Sequence, residues 1–178
     1  MGVRFCSLLA FVTALSLVLL GCGGHSIGRV KGADSACVYG NIVVDDNYIP
    51  QNVIMHELGV VYAPPFASPP TATTFNNGDF FFDNIKPGRY YLARFMVGRD
   101  MYAFVATTEK ELAPMIFEVR AGESHYMGAF RVKTGVGSIF SPKFDFKRVA
   151  HPDEAEVLRA LMPHLAGTGW DARVGTRH

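Results

Sequence analysis

Apolar and polar positions alternate along most of the chain, most clearly in Thr74 to Phe95, TFNNGDFFFDNIKPGRYYLARF. Phe80 and Phe82 point one way and Asp79 and Asp83 the other; past a polar corner, Tyr90 and Leu92 alternate with Arg89, Tyr91 and Ala93. Side chains on a strand repeat every two residues, so this stretch predicts strand, corner, strand. Pro87-Gly88 in the corner predicts a type II turn, because Pro presets φ at the first central position and Gly tolerates positive φ at the second. Similar patterns predict strands over Cys37 to Asp45 and Gln51 to Glu57, with Val60 to Tyr62 as a possible extension of the second. In the first of these Val38, Ile42 and Val44 share a face, and Gly40 stands where another backbone can approach. Further strands are expected over Met115 to Arg120, around Tyr126 to Val132, and through Phe140, Phe144 and Phe146.

Tyr90 to Val97 and Met101 to Thr107 flank Gly98-Arg99-Asp100, which reads as a hairpin. Tyr91, Ala93, Phe95 and Val97 fall on one side and Tyr90 and Leu92 on the other, so both faces are apolar. A strand without a polar face is usually covered on both sides. The period changes at His151. Pro152-Asp153-Glu154 predicts a helix start, with Pro in the first turn and acids against the positive end of the dipole. Val157, Leu158, Leu161, Met162 and Leu165 form one stripe at helical spacing, and Pro163 should end or kink the helix near Met162. The stripe is expected to pack on the spare apolar face of the sheets, with Trp170 as a further anchor.

Gly23 to Asp34 is Gly-rich and aperiodic and reads as a tether. Ala63 to Thr73 carries two Pro pairs and reads as a loop or an edge, with contact to a partner as the sharper alternative. A chain of 178 residues allows one domain with a modest extra element. Hydrophobic residues make up 49% of it, and part of that figure comes from the first residues. Arg4 precedes an apolar run from Phe5 to Leu20, shorter than the about 20 residues a spanning helix needs. A charged start, an apolar run and small residues at a cut site predict a secretory signal. Without Arg4, the remaining basic residues balance the 16 acids, so no long-range field draws nucleic acid.

Leu19-Leu20-Gly21-Cys22 resembles the lipobox of bacterial lipoprotein precursors. The resemblance implies cleavage before Cys22 and a diacylglycerol thioether there, usually with an N-acyl chain such as palmitate. Each buried CH₂ contributes about 0.8 kcal/mol, so several acyl chains hold firmly. Gly23 stands where an Asp would often signal inner-membrane retention, so the expected address is the outer membrane, facing the periplasm or the surface. Cys6 then leaves with the signal, Cys22 carries lipid, and Cys37 has no disulfide partner. Cys37 is expected to be a small buried hydrophobe, with a reactive thiol as the alternative.

Gly78-x-Phe80-x-Phe82-x-x-Ile85-x-Pro87-Gly88-x-Tyr90-x-Leu92, with Gly40-x-Ile42 on the opening strand, is similar to the carboxypeptidase regulatory-like, or transthyretin (prealbumin)-like, β-sandwich domains. The resemblance covers roughly Ala36 to Lys133. The expected fold is thus a seven- to eight-stranded antiparallel β-sandwich, prealbumin-like or Ig-like, with one C-terminal amphipathic helix. The expected division is a signal peptide at 1–21, a lipidated tether at 22–35, the sandwich at 36–148, and a helix and tail at 151–178 packed on it.

Catalytic signatures are sparse. His56-Glu57 lacks the second His of a zincin, and His125, His151 and His164 show no ligand spacing. Gly24-His25-Ser26-Ile27-Gly28 has the Gly-x-Ser-x-Gly spacing but falls in the aperiodic tether, with no strand before it to form a nucleophile elbow, and Gly135-Val136-Gly137 lacks the third Gly of a dinucleotide loop. Two enzyme families use a related sandwich. Tyr90, Tyr91, Tyr102, Tyr126 and His125 supply the residue types of an intradiol dioxygenase iron site but not its arrangement, and the ending Thr176-Arg177-His178 departs from that of the hydroxyisourate hydrolases. No catalytic, cofactor or metal residue is assigned, and Cys22 is the one site residue, for lipid. The expected function is a non-catalytic, lipid-anchored envelope module that binds or supports an unidentified envelope protein or cell-wall component. The alternative is a small periplasmic enzyme with an unrecognised metal or hydrolytic site.

Overall fold

The computed structural model describes residues 26–45, 48–61, 68–104, 115–135 and 144–175. The signal, Cys22, the first Pro pair, residues 105–107 of the expected hairpin, Phe140 and the last three residues lie outside them. The described residues form a mainly β structure of two sheets and two helices. The strands are β1 (Ala36–Val44), β2 (Gln51–Glu57), β3 (Thr73–Thr74), β4 (Asp79–Ile85), β5 (Gly88–Val97), β6 (Asp100–Ala103), β7 (Ile116–Val119), β8 (Ser124–Thr134) and β9 (Phe144–Val149). The helices are α1 (Glu154–Leu165) and α2 (Trp170–Gly175). One sheet runs β3-β4-β1-β8-β9; in the other, β5 has β2 on one side and β6 and β7 end to end on the other. Among the described residues no helix is long and apolar enough to cross a membrane.

The expectation of all-antiparallel pairing is corrected at the centre, where β1 and β8 run parallel from Cys37↔Ser124 to Val44↔Val132. Hydrophobicity along one strand does not encode its neighbour's direction, so the pattern could not show this. Alternation does sort the faces. Val38, Ile42 and Val44 of β1, with Phe80 and Phe82 of β4, point inward against Val53 and Met55 of β2 and Leu92 and Phe95 of β5. Full burial of such a side chain stabilises by about 1.5–3 kcal/mol, so this shared core holds the two sheets together. Gly40 serves as expected: a Cβ there would lie 2.6 Å from the Gly128 carbonyl oxygen.

The hairpin is not apolar on both faces. β2 pairs Met55 with Leu92 and Ile54 with Arg94, so Ala93 is an extra residue on β5. That bulge inserts one residue and turns the alternation over. Tyr90 and Leu92 before it and Phe95 and Val97 after it therefore all face the core. The corner also differs from expectation. The positive φ falls on Asn84, at 54°, and Gly88 opens β5 with an ordinary φ. Asn is among the few residues that tolerate this region. Gly88 instead sits close to the Glu57 and Tyr90 side chains, 3.0 Å and 3.2 Å from where a Cβ would be. Nor does Val60 extend β2, which ends at Glu57 before a turn.

α1 packs on the outer face of the five-stranded sheet, away from the hairpin. Cys37, Tyr39 and Phe81 on that face meet Val157, Leu158, Leu161 and Leu165 of α1 and Trp170 and Val174 of α2. The helix starts at Asp153, whose carboxylate accepts from the Glu156 N–H while Glu156 accepts from the Asp153 N–H, a reciprocal capping box. Pro152 precedes the cap, outside the first turn. Pro163 does not stop the helix, which runs on to Leu165. Pro removes one hydrogen bond in the last turn, and the fully buried Leu161 and Leu165 hold that turn against the sheet.

Residues 27–32, read as tether from composition, are docked on this layer. The Trp170 Nε1–H donates to the Gly28 carbonyl at 2.9 Å, Gly28 N–H donates to Asp83 at 2.6 Å, and Lys31 N–H donates to Asn84 at 2.9 Å. Ile27 and Val30 pack beside Trp170.

Candidate ligand cleft between the sheets

Both sheets end on the same side of the molecule, and their faces part there. β9 is the edge of the five-stranded sheet. The opposing edge is made of β6 and β7, four residues each, which cover different halves of β5. Between these edges lies a cleft of about 680 Å³, within the roughly 300–1,000 Å³ range of small-molecule sites. Leu92 and Met127 line its middle.

Aromatic rings bridge the sheets at each end of the cleft. At one end Phe104 meets Phe146 edge-on at 4.9 Å, and Phe146 stacks on Phe130 at 4.6 Å. At the other, Phe117 of β7 lies flat on the His125 ring of β8 at 5.0 Å. Phe104, Phe117 and Phe146 are only half-buried, unlike Tyr39, Phe81 and Trp170 of the outer face. Sequence alternation places each ring: Phe130 and Val132 of β8, and Phe146 of β9, fall on the inward face.

One cation joins the lining. Arg148 follows Phe146 by two residues on β9 and so shares its face. Its guanidinium carbon lies 5.9 Å from the Phe130 ring centre, and it donates to the Met127 carbonyl oxygen. Local backbone makes room for it. β8 pairs Tyr126 with Tyr39 and Gly128 with Gly40, leaving Met127 as a bulged residue. A bulge leaves its extra residue out of the ladder, and Arg148 satisfies the exposed carbonyl. Gly128 has φ +114°, and a Cβ there would lie 2.4 Å from Arg148 Nε, so only glycine fits.

Two polar groupings lie elsewhere. Asp79, 2% exposed, accepts from Asn41 at 2.8 Å and from Asn77 at 2.5 Å, and Arg131 donates to Asn41 at 3.0 Å. Burial pushes the Asp79 carboxyl above its usual range, against the pull of the two amides. The network pins the turn before β4, where Gly78 is wedged against the Ile42 carbonyl. His151, Asp153 and Glu156 form a cluster of the metal-ligand residue types within 4.8 Å, all exposed. Asp153 and Glu156 are engaged in the capping box, and His151 pairs with Glu156 at 3.1 Å. The Glu156 hydrogen bond raises the His151 pKa.

Two of the tyrosines of iron-site type have backbone partners. Tyr126 donates to the Pro152 carbonyl on the outer face at 2.8 Å, while Tyr90 donates to the Lys86 carbonyl at 3.0 Å. Cys37 is a fully buried thiol against the helix layer. Cys22 lies outside the described residues. Sequence reading missed the cleft and Arg148. The available signal was the pair Phe146 and Arg148 at strand spacing, which pair with Val132 and Phe130 of β8, but a cleft depends on which edges coincide, and that depends on sheet order. No family model matches the sequence, and no curated protein matches it.

Proposed function

We propose that the chain is a lipid-anchored envelope protein whose β-sandwich, of the prealbumin-like kind, binds an apolar ligand without transforming it. The observation that carries this reading is the inter-sheet cleft: a cavity of binding-site size, bridged by aromatics and open at the coincident sheet edges. Apolar surface left open in this way attracts an occupant, because removing it from water stabilises by about 25 cal/mol per Å². The anchor rests on the motif at Cys22. The proposed address is the outer membrane, facing the periplasm or the surface, and binding near a membrane suits an apolar ligand.

Two experiments test the two halves. Cys22→Ala should abolish palmitate labelling and release the protein from the membrane fraction; retained labelling would end the anchor reading. The neutral dye N-phenyl-1-naphthylamine should bind the purified protein saturably at one site. Ile116→Arg, which places a charge in the cleft lining, should abolish the fluorescence gain. A signal that is absent, or unaffected by that change, would remove the cleft as the site.

A further inference from the structure

Resting on the cleft as a ligand site, we propose that its ligand is an apolar carboxylate, with the hydrocarbon body between the aromatic bridges and the head group on Arg148. Three observations converge on that head group. First, the backbone is shaped around this guanidinium, since Gly128 at φ +114° leaves the space that any Cβ would take. Second, Arg148 is still exposed, and among the described residues no carboxylate pairs with it. Its one hydrogen bond there goes to the Met127 carbonyl. A guanidinium carries five N–H donors in a planar fork, so most remain for a ligand. Third, none of the described lining residues is acidic, so the cleft presents positive charge at one end of an apolar wall.

A carboxylate matches that fork with two parallel hydrogen bonds. The Phe130 ring lies beneath the guanidinium, its centre 5.9 Å from the guanidinium carbon. An apolar body then runs from Arg148 past Met127 and Leu92 toward Phe117. A neutral amphiphile of the same length would fill the same wall but leave the guanidinium without its partner. A cationic one would meet repulsion at Arg148.

The test is calorimetric titration of the full chain with decanoate and with 1-decanol, a neutral chain of equal length. Decanoate should bind at least about tenfold more tightly, the scale of one charge-assisted hydrogen-bond pair. That preference should vanish in Arg148→Gln and survive in Arg148→Lys. In the unaltered protein, added salt should weaken decanoate and leave decanol unchanged, a check that stands even where Arg148→Gln fails to fold. Equal binding of the two ligands, a preference kept by Arg148→Gln, or decanoate binding insensitive to salt would each overturn the carboxylate assignment. In those cases the cleft would remain an apolar site. Failure of both ligands to bind would overturn the cleft reading itself.

Discussion

The outer face of the five-stranded sheet and the β8–β9 end of its inner face are built from the same kinds of side chain. On the outer face, Tyr39, Phe81 and Trp170 are buried to within 1% of full enclosure, because two helices and residues 27–32 cover them. On the inner end, Phe104, Phe117 and Phe146 stay half-buried, and the facing sheet stands off by a cleft. Aromatic content is thus shared, and closure is the difference. The outer face has covering elements encoded in the same chain, tied by Tyr39 to Glu154 at 2.6 Å and by Trp170 to Gly28. Among the described residues, the inner end has no such cover. A filled aromatic layer stabilises the fold; an open one of equal chemistry is available to a ligand.

Breaking the closed layer should have the largest effect. Leu158→Asp with Leu161→Asp places two carboxylates where side chains are 6% and 0% exposed. Each change costs upwards of about 3 kcal/mol, a large share of the roughly 5–15 kcal/mol that holds a domain. Thermal unfolding should show the transition of the whole domain lowered or lost, and an unchanged transition would mean the helix is not part of the cooperative unit. Trp170→Ala comes next, at about 3–5 kcal/mol. It also leaves the Gly28 carbonyl without its donor, so amide exchange at 28–32 should accelerate more than in β1. Uniform acceleration would show that Trp170 supports the whole domain evenly and does not specifically dock that segment.

Phe117→Ala probes the open layer. Its ring is only partly enclosed, so the loss should be about 1–2 kcal/mol, well under that of Trp170→Ala. Apolar ligand binding should nevertheless weaken. A cost as large as the Trp170 one, read by denaturant unfolding, would mean that the cleft is core.

The smallest effect concerns Asp79. Its folded pKa is raised by burial above the usual 3.8. Between those two values the folded state binds more protons than the unfolded one, so this group's contribution to stability falls as pH rises through that window. Asp79→Asn should remove that slope, and the difference between the two stability-versus-pH curves isolates it from the other carboxylates. Parallel curves would mean that the carboxyl titrates alike in both states.

Much of the fold was legible because period and burial are local properties. The alternation of Phe80 and Phe82 against Phe81 sorts the two faces of β4, and Val157, Leu158, Leu161 and Leu165 of the expected stripe match the covered side of α1, whereas Met162, expected with them, is exposed. The sheet that α1 covers was not legible. The bulge at Ala93 makes a one-faced strand resemble a two-faced one, and no local signal marks an inserted residue. The parallel β1–β8 pair likewise depends on chain path. The candidate site was the least legible. It needs Gly128 on β8, Arg148 on β9 and Phe117 on β7 to converge, and their spacing carries no periodic signal.

Methionine methyl groups offer the most direct view of the open and closed layers together. Met115 and Met127 line the cleft, while Met162 is exposed on α1. In a ¹³C-methyl NMR titration with decanoate, the Met115 and Met127 signals should move saturably and together, with Met162 unmoved. Still signals at Met115 and Met127, or equal movement at Met162, would contradict a ligand site between the sheets.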